Sequence, residues 1–287
     1  MKKFFKKIIY LSLIIFFICK MDQVRSLIPY YYFPTTRNLQ KESLTIGKNA
    51  YQLLYFGQYK ESLNLAKLAV KIDKTNEKLW LILAETQLAN ELYEQALNSL
   101  NKAQKINSNI SEIYFAKSNI YFKITQFQNA KKALKIGLSI EPNNHKAIFQ
   151  LGNILLIEKN YLGAIKLFEK SVKIKPDFWQ ALNNQGLAYF ELNNINLSTK
   201  HFENAILIEE NAEPLLGLAS CLRIKDINLA IKLTKKALAK DPNYVNYDYR
   251  KEQLWGEKLQ TSTEILLNND ELTEDVMLAK SKINEPS

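Results

Sequence analysis

Two histidines, two cysteines and one adjacent pair of glutamates are the side chains of this 287-residue sequence whose chemistry could extend beyond packing. His145 and His201 stand 56 positions apart with no cysteine near either, so the close ligand spacing of a zinc site is missing and no metal is expected. Cys19 and Cys221 are too few and too far apart for a disulfide framework. Cys221 reads as a small buried hydrophobe. Glu209 and Glu210 fall near a helix end, where they are expected to be solvated and not set up as an acid and a base. The sequence holds no G-x-S-x-G, H-E-x-x-H or phosphate-loop pattern, and its eight glycines are scattered singly. The expectation is a non-enzyme with no catalytic residues and no cofactor.

The net charge of +10 is spread along the chain: +6 over residues 1–42, +8 over 43–247 and −4 over 248–287. Runs such as Lys131-Lys132 and Lys235-Lys236 fit solvated helix faces. No focused basic stripe emerges, so a nucleic-acid partner is not expected. With 47% hydrophobic and 24% charged residues, and only 8 glycines and 7 prolines, the composition is that of a folded, helix-rich chain.

What must position any functional side chain is a repeat. Small residues recur at Ser62, Ala96, Ala130, Ala164 and Ser198, 34 positions apart, and at Ala230 after a step of 32. Seven places after each comes a second: Ala69, Ala103, Gly137, Ser171, Ala205 and Ala237. Two helical turns separate the members of a pair, so both lie on one face. Small side chains on one face let helix backbones approach, which predicts repeated close crossings in a helical solenoid.

The N-terminal stretch has a different pattern. Lys2, Lys3, Lys6 and Lys7 precede an apolar run from Ile8 to Cys19, broken only by Ser12. Twelve helical residues reach about 18 Å, short of a hydrocarbon core of about 30 Å. No small-residue cleavage site follows, so the segment reads as an uncleaved short signal anchor. The lysine excess ahead of it places the N-terminus in the cytoplasm and the repeats on the far side. Tyr30-Tyr31-Tyr32-Phe33 fits either an interfacial aromatic belt or a linker covering the first repeat. A cytoplasmic protein whose N-terminal segment is an amphipathic helix is the alternative.

The repeat resembles the tetratricopeptide family. Unit two carries Trp80, Leu83, Ala84, Ala96, Leu100 and Ala103; unit three carries Tyr114, Tyr121, Ala130 and Pro142. Unit four carries Leu151, Gly152, Ala164, Phe168 and Pro176; unit five carries Leu182, Gly186, Tyr189, Phe202 and Ala205. Lys74, Ser108 and Glu210 replace the closing proline, and unit six is shortened around Asn211–Pro214. The resemblance implies an all-α right-handed superhelix of about six helix-turn-helix repeats over residues 43–242, with a capping helix over 243–267. Residues 1–42 are then signal or anchor and linker, and 268–287 a polar, frayed tail. The string from Tyr249 to Leu259 resembles the C-terminal extension of cyanobacterial tetratricopeptide proteins.

The family further implies that first helices line a concave groove, at the second, fifth, ninth and twelfth places of each unit. In the central units these are Phe115, Asn119, Phe122, Lys146, Phe149, Asn153, Leu156, Asn183, Leu187 and Phe190. Phenylalanines there would bury apolar side chains of a bound protein or peptide, and the asparagines would bond its backbone. The chaperone-tail clamp and the asparagine ladder of other members are absent, since Phe115 precedes Asn119 and Ala116 and Gln150 break the ladder. The implied function is a non-catalytic protein–protein interaction scaffold, a membrane-associated adaptor with extracytoplasmic repeats that assists assembly or retention of a complex. A soluble cytoplasmic chaperone-like adaptor and an accessory transferase subunit are the other readings. Nothing in the spacing fixes an oligomeric state or the partner.

Overall fold

Residues 35–284 are described by the computed structural model. The apolar run at 8–19 and the Tyr30–Phe33 stretch lie outside them. Among the described residues no helix is long and apolar enough to cross a membrane, and no group of His, Cys, Asp and Glu could hold a metal ion.

Twelve helices pair in sequence into six antiparallel hairpins. They are α1 (Thr36–Tyr55) with α2 (Tyr59–Ile72), α3 (Glu77–Ala89) with α4 (Tyr93–Ile106), and α5 (Ser111–Lys123) with α6 (Phe127–Ile140). The series continues as α7 (His145–Ile157) with α8 (Tyr161–Ile174), α9 (Trp179–Glu191) with α10 (Ile195–Ile208), and α11 (Ala212–Leu222) with α12 (Ile227–Lys240). Each hairpin stacks on the next, giving the right-handed superhelix of a helical-repeat protein.

The 34-residue beat falls where second helices cross first helices. Ser62, Ala96, Ala130, Ala164, Ser198 and Ala230 are all fully buried. Where the residue is serine, its hydroxyl is satisfied across the crossing: Ser62 Oγ donates to the Ala50 carbonyl at 2.7 Å, and Ser198 Oγ to that of Gly186 at 2.8 Å. Facing positions exchange volume. Phe168 packs over Gly152 and Phe202 over Gly186, whereas Leu100 and Leu134 occupy the same place in units that have Ala84 and Ser118.

The turn inside each of the first five hairpins is closed by a residue in the left-handed region, at Gly57, Glu91, Thr125, Lys159 and Asn193. Asn160 and Asn194 then cap α8 and α10, accepting from Gly163 N and Leu197 N. The left-handed positions repeat at 34 and stop at unit six, which is the shortened one.

The C-terminal region departs from the expected single helix and frayed tail. After a 3-10 turn at Pro242–Val245 come α13 (Tyr247–Glu252) and α14 (Glu257–Leu267), broken at Leu254, whose φ is 67°. A second turn (Asp270–Leu272) leads into α15 (Thr273–Asn284), within the stretch expected to be a tail. Leu272, Val276 and Ala279 form a thin apolar stripe that packs α15 onto the solenoid, and so few apolar residues in a polar segment hid it. The labour is divided: α15 and the Pro242–Val245 turn cover α12, while α14 lies against α11 and α9. Buried Arg250 joins the pieces by donating to the Tyr244 carbonyl at 2.6 Å, to Gln260 Oε1 at 2.8 Å and to Glu264.

Candidate functional site

Helices α5 and α7 present the same register one repeat apart, and their inner faces meet in a concave cleft of about 500 Å³. Six of the ten groove residues line it together: Phe115, Asn119, Phe122, Lys146, Phe149 and Asn153. Asn144, Gln150, Phe178 and Gln180 complete the wall. Lys146 is its cation and no acidic residue lines it, so the cleft suits apolar groups and hydrogen-bond acceptors.

The two asparagines are held from behind. Gln150 Nε2 donates to Asn119 Oδ1 at 2.8 Å, and Asn184 Nδ2 donates to Asn153 Oδ1 at 2.8 Å. Each donor is 31 residues beyond its acceptor, at the sixth place of the following unit. Ser118 Oγ orients Gln150 at 3.3 Å, and Asn183 Nδ2 orients Asn184 at 3.1 Å. With both carbonyl oxygens engaged, the amide Nδ2 groups of Asn119 and Asn153 are the donors left over. The ninth place of the repeat identifies the asparagines, whereas their partners stand at the sixth place of the next unit, a pairing that the pattern within one unit does not contain.

Phe149 is both wall and support. Its ring is 5.5 Å from Phe168 and 5.0 Å from Phe178, so a residue placed in the groove also packs on the core. Phe122 makes an edge contact with Phe127 at 5.5 Å. Farther along the first helices, burial pushes the Glu85 carboxyl above its ordinary value.

The other four groove residues do not line this cleft. Leu156, Asn183, Leu187 and Phe190 are all buried. Leu156 and Leu187 border a small hollow that Leu254 and Trp255 close, and Asn183 hydrogen-bonds Glu213. Sequence distance concealed this: the chain at 254–259 returns to the groove of unit five.

The docking of that segment centres on two carboxylates. Glu191, at the end of α9, accepts from Leu259 N at 3.0 Å and from Lys258 N at 3.4 Å, and its own carbonyl accepts from Lys258 Nζ at 2.6 Å. A carboxylate at the amino end of α14 meets unpaired amides and the positive end of the helix dipole. Glu213 accepts from Trp255 Nε1 at 3.0 Å and from Asn183 and Tyr244, and burial pushes its carboxyl up to about 7. The groove is thereby filled over units five and six and open over units three and four.

Three tetratricopeptide repeats are recognised by the family's model, at residues 111–144, 145–178 and 180–211. No curated protein matches the chain in sequence. Among solved structures, MamA is 26% identical over 56% of this chain and 94% of its own, with a TM-score of 0.51. PilF of Pseudomonas aeruginosa is 15% identical over 75% of this chain and 98% of its own, with a TM-score of 0.65. PilW, a type IV pilus biogenesis factor, is 17% identical over 76% and 97%, with a TM-score of 0.61. The last two likenesses concern the fold alone. The matched units, the repeat beat and the six stacked hairpins agree, so this chain carries tetratricopeptide repeats.

Proposed function

We propose that the protein is a non-catalytic interaction scaffold that holds an extended segment of a partner protein in the cleft between α5 and α7. The observation that carries this reading is the pair Asn119 and Asn153, each fixed through its Oδ1 so that an Nδ2 donor remains beside Phe115, Phe122 and Phe149. Donors at one repeat's spacing can meet successive backbone carbonyls of an extended chain, and the phenyl rings can cover its apolar side chains.

The apolar run at residues 8–19, flanked by Lys7 and Lys20, supports a second element: attachment to a membrane, with the scaffold assisting assembly or retention of a complex there. A photo-crosslinking residue at exposed Lys146, in the cleft, and one at exposed Lys166, outside it, test the scaffold in gently solubilised membranes. Capture of one defined partner from position 146, and none from 166, is the expected outcome; equal capture from both overturns it. Deleting residues 2–19 should release the protein from membranes while leaving capture at 146 intact. Retention after an alkaline wash would overturn the attachment alone.

A further inference from the structure

A second cleft, of about 770 Å³, lies not in the groove of units three and four but beside unit six. Its walls come from the end of α9, the start of α10 and the turn between them, the end and turn of α11, and one side of α14. Where the earlier hairpins turn through a left-handed residue, Arg223 is right-handed helical, with φ −45° and ψ −39°, and α12 starts at Ile227 under an Asp226 cap. The turn therefore presents Arg223, Ile224 and Lys225 to the cleft.

The charged side of this cleft is built. Arg223 Nε donates to Ser262 Oγ at 3.3 Å, and Ser262 Oγ donates to the Ser220 carbonyl at 3.1 Å, so α14 orients the guanidinium. Among the described residues its terminal nitrogens meet no acceptor, and neither Arg223 nor Lys225 forms an ion pair. The one acid on the wall, Glu257, is 3.1 Å from Lys159 Nζ, and the wall's other cation, Lys258, donates to the Glu191 carbonyl. Phe190, Ile195, Leu222 and Ile265 supply apolar lining beside the polar Asn193, Asn196, Thr199 and Thr261, and Ile224, also on the wall, is 86% exposed. Cys221 also reaches the cleft, but burial pushes its thiol up to about 11, which keeps it protonated and unreactive at neutral pH.

We propose that this cleft binds a carboxylate carried on an aliphatic body. The planar fork of Arg223 matches a carboxylate, Lys225 adds charge, and the isoleucines cover the aliphatic part. A volume of this size suits a small ligand or the end of a chain. Two sources share the chemistry: a fatty acid, and the free carboxyl terminus of a protein ending in an aliphatic residue. The site exists only where α14 folds back on unit six, so it is independent of the groove between α5 and α7.

Calorimetric titration of the full chain tests this with two matched pairs: octanoate against octanamide, and an acetylated tripeptide ending in isoleucine as free acid against its amide. At least one acid should bind, with its amide tenfold or more weaker. Octanoate alone would identify a fatty acid and the peptide acid alone a protein terminus, each supporting the site. Arg223→Gln should weaken the acid at least tenfold and leave the amide unchanged. Ile224→Asp, at an exposed position where folding is not at stake, should also weaken the acid. Equal binding of acid and amide, no binding of either acid at millimolar concentration, or unchanged binding in both variants would overturn the proposal.

Discussion

The carboxylate of Glu191 fills the space that a side chain on Gly256 would need: a Cβ there would lie 2.5 Å from Glu191 Oε1. The backbone of Gly256 is extended, with φ −78° and ψ 170°, so closeness and not a special backbone angle demands glycine. Gly256→Ala should therefore push α14 off the end of α9, lengthening the contacts of Glu191 with Leu259 N and Lys258 N. We expect a loss of about 1–3 kcal/mol in urea unfolding, with faster proteolysis near residues 251–258 in native buffer. Wild-type stability and protease resistance would show that the Glu191 side chain moves aside at no cost and that glycine is not required there.

A second prediction concerns the exchange of volume between first and second helices. A Cβ on Gly152 would come 2.5 Å from the Phe168 ring, so Gly152→Ala should destabilise the fold although alanine favours helix by about 1 kcal/mol. Phe168→Leu alone leaves a void. Together they recreate the pairing of Ala84 with Leu100, so the double variant should unfold at higher urea than either single one, with a coupling of about 0.5–3 kcal/mol. Lys166→Ala, on an exposed face, should stay within about 0.5 kcal/mol of the parent. Additive losses in the double variant would refute the pairing.

The repeat was legible because its cause is local and periodic. Ala130 and Ala164 announce close crossings by size alone, and Asn193 in the turn has the left-handed angle that its type tolerates. Thr125 and Lys159 adopt the same angle with no such signature, since the hairpin geometry imposes it. In the groove, the concave places of α5 and α7 could be read from the repeat, whereas the burial of Leu187 and Phe190 could not. That burial depends on Glu191 meeting Leu259, 68 residues away, and on Glu213 meeting Trp255, 42 away. Neither pair has a partner in any other repeat, so periodicity holds no trace of them.

In the open groove, donor polarity can be separated from support of the fold. Asn153→Asp keeps an oxygen for Asn184 Nδ2 but replaces the remaining donor by an acceptor. The variant should fold as the parent does, judged by its unfolding midpoint, while capture of the partner from position 146 falls several-fold, on the order of 1 kcal/mol in affinity. Phe149→Ala should lower both, because its ring packs on Phe168 and Phe178. Undiminished capture by Asn153→Asp would remove that amide from the binding surface.

The stability of the C-terminal docking should depend on pH through Glu213. Burial pushes its carboxyl from 4.5 up to about 7, against the opposing bonds from Trp255, Asn183 and Tyr244. A raised value means that the folded chain holds a proton that the unfolded chain has released, over the window from 4.5 to about 7. The contribution is fully present below that window and is lost as pH rises through it, amounting to about 3 kcal/mol. His145 and His201 act in the opposite sense. Burial depresses both, so protonating them below their ordinary 6.5 costs stability as pH falls. The net profile of the parent therefore mixes two slopes, and the difference between variants isolates one. Glu213→Gln, neutral at every pH and able to accept from Trp255 Nε1, should match the parent near pH 5 and exceed it by about 2–3 kcal/mol near pH 8 in urea unfolding. A constant difference between Glu213→Gln and the parent across that range would show that Glu213 does not change its protonation on folding.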